Sequence, residues 1–113
     1  MKAFILFAVM LISARAMAMD RALAQQLLAE RNLNLSTMER AGAQLLLGEV
    51  TGGGRVLPAE RVQVILLNNK AVLKSEIVSM DFSPVTGRIG DLDSFRVGGS
   101  YFTREDIRGV VVR

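Results

Sequence analysis

The chain has 113 residues, no cysteine, no histidine and no tryptophan, and a formal net charge of +3. The absence of cysteine removes a disulfide framework and a thiol nucleophile, and the absence of histidine removes the usual general base and transition-metal ligand of neutral pH. Catalytic triads built on His and ordinary zinc sites are therefore excluded, and so are cofactors that need such ligands.

The first eighteen residues read as an export signal. Lys2 gives a short positive start, the stretch from Ala3 to Ile12 is apolar, and Ala16-Met17-Ala18 places small residues where a signal peptidase reads them. The apolar run is shorter than the roughly 18 to 20 residues of a spanning helix, so residues 1–18 are expected to be cleaved and 19–113 to form one small domain. Lys2 and Arg15 leave with the signal, so of fourteen basic residues twelve remain against eleven acidic ones, a net charge of +1. That balance argues against nucleic acid or an anionic membrane as partner, since both need clustered positive charge. An exported domain this small without disulfides fits a bacterial periplasm or a secreted location of bacterial origin.

From Asp20, a suitable N-cap, Leu23 with Leu27 and Ala24 with Leu28 repeat at helical spacing. Asn32-Leu33-Asn34 should stop that helix. Ser36-Thr37-Met38-Glu39 has the spacing of a capping box, which predicts a second helix carrying Met38, Ala41, Leu45 and Leu46 and closing at Gly48. Beyond Gly48 the period changes to two and β-branched residues become common, so the remainder is expected to be sheet. Strand-like sequence flanks Gly52-Gly53-Gly54, and Pro58 ends it. Arg61 to Asn68 predicts a strand with Val62, Val64 and Leu66 on one face, its second half buried on both sides.

Asn68-Asn69-Lys70 predicts a hairpin turn with positive φ at Asn. The returning strand, Ala71 to Phe82, is interrupted at Lys74-Ser75-Glu76. Ser83 to Gly87 reads as loop, Asp91 to Val97 as strand and Gly98-Gly99 as turn. Thr103-Arg104-Glu105-Asp106 has capping-box spacing on a single helical turn, and Ile107 to Arg113 is the last strand. No internal repeat is visible. The expected architecture is α+β: two N-terminal helices on a strongly bent antiparallel sheet, or small barrel, of about five strands.

The glycine run lacks the Lys-Ser/Thr and helix that complete a phosphate loop. Asp91 and Asp93 share a strand face without the oxygen-rich loop of a calcium site. Lys74 and Ser75 are adjacent on a strand and point apart, which argues against a Ser-Lys pair. Val62-x-Val64-x-Leu66, the polar turn, Ser75, Ile77 and Asp81, together with Ile107-Arg108-Gly109-x-x-Val112, resemble the two motifs of the Sm-like and SH3-like small β-barrels. In the Sm-like family an aspartate, a nearby asparagine and an arginine line a pocket for an RNA base, so the resemblance implies binding roles for Asp81 and Arg108. Phe82-Ser83-Pro84-Val85 stands where that asparagine is expected, and with the +1 charge this leaves no nucleic-acid partner expected.

The expected function is non-catalytic binding or assembly in the bacterial envelope, by strand addition or self-association at a sheet edge, with no cofactor and no metal. Two rivals have their own requirements. A carboxylate enzyme needs two converging groups among Glu76, Asp81, Asp91 and Asp93, and a nucleic-acid-binding barrel needs Asp81 and Arg108 at a pore. Protein recovered from the envelope should begin at Met19 by intact-mass analysis; full-length precursor recovered from the cytosol would remove the assigned address.

Overall fold

A computed structural model describes residues 19–48 and 57–113. Residues 1–18, expected to be an export signal, and the Gly52-Gly53-Gly54 segment lie outside the described residues. Helix α1 (Arg21–Ala29) starts where Asp20 accepts the amide of Leu23. It stops at Asn32, whose φ of 62° is left-handed, with the Leu33 amide reaching back to the Leu28 carbonyl. Helix α2 (Leu35–Arg40) is shorter than the capping box predicts. Its cap is Asn34, which accepts from Thr37, so Ser36 already lies inside the helix. Gly42, at φ 104°, turns the chain out, and Leu45 and Leu46 belong to a strand, β1 (Gln44–Leu47). Apolar residues one turn apart in so short a run satisfy either period, and pairing with the last strand decides for sheet.

Among the described residues six further strands follow: β2 (Val62–Leu66), β3 (Ala71–Leu73), β4 (Ile77–Phe82), β5 (Leu92–Val97), β6 (Ser100–Thr103) and β7 (Gly109–Val112). They form two antiparallel sheets, β1-β7-β2-β3 and β4-β5-β6. The expected α+β class holds, but the single bent sheet or closed barrel of about five strands does not. The strands are short, 3-10 turns precede β2, β4, β5 and β7, and the chain changes sheet at two of them, Lys74–Glu76 and Arg104–Asp106. Lys74-Ser75-Glu76 is one of these turns, and it sends β3 and β4 to different sheets. The hairpin between β2 and β3 forms as expected and is closed by the Leu67 amide donating to the Lys70 carbonyl. Positive φ is absent from Asn68 and Asn69, however.

A repeat that is faint in the residue types is plain in the backbone. Adding thirty to each number of the β2–β3 register, Val64 opposite Leu73, Ile65 opposite Val72 and Leu66 opposite Ala71, gives Ser94 opposite Thr103, Phe95 opposite Phe102 and Arg96 opposite Tyr101. That is the register of β5 on β6. The β2–β7 ladder, bulge included, maps in the same way onto β5–β4. Ala59 donates to Gly87 and Ile89 donates to Leu57, each at 2.8 Å, across an isolated bridge between Pro58 and Arg88. The halves 57–83 and 87–113 are thus related by an approximate twofold, and each lends its third long strand, β4 or β7, to the other's sheet.

The bulge between Val62 and Val64 also corrects the expected strand faces. Val62 and Ile65 join the core between the two sheets, around Phe95 and Val110, whereas Val64 and Leu66 face the helices with Val111. Ala24, Leu27, Leu28 and Leu35 cover that second face. Phe95 stacks on Phe102 at 5.4 Å in the core between the sheets.

Gly109 shows what β1 demands of its neighbour: a Cβ there would stand 2.9 Å from the Leu46 carbonyl oxygen. Its counterpart thirty residues earlier is Ser79, on a strand with no β1 beside it. Gly109→Ala should therefore cost about 1–3 kcal/mol by overpacking, and Ser79→Ala should stay within about 0.5 kcal/mol, as measured by urea denaturation. Equal effects would contradict this reading of the glycine.

Candidate functional site

The two sheets differ by one strand. In the first, β7 has β2 on one side and β1 on the other; in the second, β4 has β5 on one side and, among the described residues, no strand on the other. An edge strand offers unpaired backbone amides and carbonyls to any extended chain. The side chains register the difference. Ile107, Val110 and Val112 on the covered side are 2%, 1% and 3% exposed, while their counterparts Ile77, Met80 and Phe82 pack on the same core yet remain half-buried. Val78, where the register of β4 on β5 shifts, is 67% exposed.

The outer faces differ as well. Under the helices, the cross-strand rows are Gly109–Leu66–Ala71 and Val111–Val64–Leu73. Their equivalents on the second sheet are Ser79–Arg96–Tyr101 and Asp81–Ser94–Thr103. Apolar residues that bury under α1 and α2 are replaced by polar ones, so the hydrophobic term that seats a helix on the first sheet is missing from the second. Asp81 is exposed on this polar face and accepts a long hydrogen bond, 3.4 Å, from Ser94.

Asp81 and Arg108, the pair implied by resemblance, sit in different surroundings. Asp81 is on β4, and Arg108 leads into β7, where it donates to Asn68 at 3.0 Å and to the Glu105 carbonyl at 2.6 Å. The other carboxylates do not converge on Asp81. Asp91 ends a 3-10 turn and accepts from Thr86 at 2.6 Å, and Asp93 is exposed on β5. Lys74 and Ser75 lie in a 3-10 turn and not on a strand as expected. Among the described residues, no group of three or more acidic side chains is placed to hold a metal ion.

Glu76 is structural. It receives Arg31 side-on, with Nη1 at 2.9 Å, and accepts the Leu73 amide at 3.0 Å, while Arg31 also donates to the Ala71 carbonyl at 2.8 Å. One carboxylate thus fixes the turn between β3 and β4 and ties it to the end of α1. The Arg31 guanidinium, with help from the Leu73 amide, holds the Glu76 carboxyl well below its usual range, at about 2. Asp106 caps Thr103 in the other half at 3.0 Å, thirty residues on from Glu76 and Leu73. Glu39 is likewise lowered by Arg21.

The edge of β4 is the feature that sequence reading passed over. A self-comparison at an offset of thirty carries its signal, since Lys74-Ser75-Glu76-Ile77 recurs as Arg104-Glu105-Asp106-Ile107. No family model matches this chain, nor does any curated protein or solved structure. No helix among the described residues is long and apolar enough to cross a membrane.

The depressed Glu76 carboxyl gives a signed pH dependence. Its folded value lies below the ordinary 4.5, so its contribution to stability is present above 4.5 and is lost as pH falls toward about 2. Glu76→Gln should lower the urea midpoint at neutral pH and differ little from the parent near pH 2; a difference independent of pH would show that the ionised form is not what matters.

Proposed function

We propose that this chain is a small exported binding domain of the bacterial cell envelope, without catalytic chemistry, that acts by receiving an extended segment of another protein along the edge of β4. The observation that carries the reading is the unequal completion of two equivalent sheets. β7 is paired on both sides, whereas β4, its counterpart, has the same register with its inner neighbour and, among the described residues, no strand on its outer side. Strand addition supplies main-chain hydrogen bonds, and alternate side chains supply selectivity. The half-buried Ile77, Met80 and Phe82 provide the apolar surface that an added strand would cover. The address rests on Lys2, the apolar run and the Ala16-Met17-Ala18 site.

A photo-crosslinking residue placed at Val78 tests the proposal against the same residue at Val85, which is 90% exposed but lies in a loop. In cells exporting the protein, Val78 should give a defined adduct with another polypeptide and Val85 should not. Equal yields at both positions, or none at Val78, would remove β4 as the working edge.

A further inference from the structure

We infer that the segment received by β4 belongs to a partner protein and reads apolar, basic, apolar along the strand. The inference rests on the strand-addition reading above and specifies its occupant. The template is the chain's own β1, where Gln44, Leu45, Leu46 and Leu47 lie opposite Val112, Val111, Val110 and Gly109. Carrying that ladder back by thirty residues places the occupant's four residues opposite Phe82, Asp81, Met80 and Ser79.

Each position then has a chemistry. Met80 and Phe82 belong to the core between the sheets but remain half-buried, so the residues opposite them gain most by being apolar. Asp81 projects onto the polar outer face, in the place where Val111 meets Leu45. Its hydrogen bond from Ser94 is 3.4 Å long, and neither of the ion pairs Arg21–Glu39 and Arg31–Glu76 involves it. A lysine or arginine directly across an antiparallel pair is the favourable neighbour for such a carboxylate.

A second copy of β4 fits poorly. Antiparallel self-pairing centred on Asp81 sets two carboxylates against each other, which is destabilising. Centred on Met80, it sets Val78 against Phe82, and the register shift between Ile77 and Ser79 turns these two to different faces. Ser79 adds a restraint. A Cβ at its counterpart Gly109 would stand 2.9 Å from the Leu46 carbonyl, so the Ser79 side chain holds an occupant slightly off and weakens the addition.

The test is a titration of the isotopically labelled protein, as recovered from the exporting cell, with two blocked peptides identical except for a centre of Leu-Lys-Leu or Leu-Glu-Leu, followed by amide chemical shifts. The lysine peptide should perturb Ser79 to Phe82 and bind roughly tenfold more tightly than the glutamate peptide. Asp81→Lys, at an exposed position, should reverse that preference, and Ser79→Gly should tighten the lysine peptide. Equal binding of both peptides at β4 would overturn the basic preference while leaving strand addition standing. Perturbation elsewhere, no binding, or concentration-dependent dimerisation through the β4 amides would overturn the assigned occupant, whereas the Val78 crosslink decides the broader reading separately.

Discussion

The exchange of strands between the two halves is the constraint on which the rest of the structure depends. β2 cannot complete its sheet without β7, and β5 cannot complete its sheet without β4, so each half is closed by a strand from the other. The reciprocal hydrogen bonds between Ala59 and Gly87 and between Ile89 and Leu57 fix the start of both ladders. Neither half contains its own closed set of backbone pairs, so the two halves depend on each other for their hydrogen bonding. The same exchange explains why the last strand is not a frayed terminus. Val110, Val111 and Val112 are buried in the centre of a four-stranded sheet.

An approximate twofold makes two equivalent surfaces, and the chain has treated them differently. On one, Val64, Leu66, Ala71 and Val111 form an apolar face that α1 and α2 cover, with Arg31 clamping the helix end to Glu76. On the other, Ser94, Arg96, Tyr101 and Asp81 occupy the corresponding positions; Ser94 is buried, and Arg96, Tyr101 and Asp81 are exposed. β1 follows the same division. It lies beside β7 where Gly109 lets a backbone approach, and β4 has a serine at the equivalent point. The asymmetry is thus written in single residues at matched positions, and among the described residues only the first surface is covered by helices and by β1.

Much of this was legible before any coordinates. The Asp20 cap, the stop at Asn32, the strand centred on Val64 and Ile65, the turn at Gly98-Gly99 and the single turn capped by Asp106 each follow from local chemistry. What was not legible depends on neighbours far along the chain. Leu45 and Leu46 fit a helical stripe until β7 claims them, and the bulge after Val62 reverses a face that simple alternation assigns to Val64. The repeat hides because core positions need only bulk. Val62 and Leu92, or Ile65 and Phe95, do the same work without sharing identity, and only Ile77 and Ile107 are alike within the recurring turn. The edge of β4 hides for a related reason, since openness is a property of strand order and strand order is not local. A family resemblance implies a binding role for Asp81, and its place on β4 is what the proposed strand addition draws on independently of that resemblance.

An open edge is ordinarily a hazard, since it invites pairing with any extended chain. β4 carries the usual protections together: a register shift at Val78, a carboxylate at Asp81 and a side chain at Ser79 where the closed sheet has glycine. Each of them weakens indiscriminate addition, and none of them blocks it. A bulge shortens the ladder, a lone carboxylate repels acidic segments and welcomes basic ones, and a serine moves a neighbouring backbone by a fraction of its spacing. The half-buried Met80 and Phe82 work in the opposite direction by leaving apolar surface uncovered at the same strand. An edge built only to be inert has no need of that surface, and an edge built only for tight assembly has no need of the protections. The two together are what the proposed strand addition requires of β4, a weak acceptance that depends on the sequence of the segment offered.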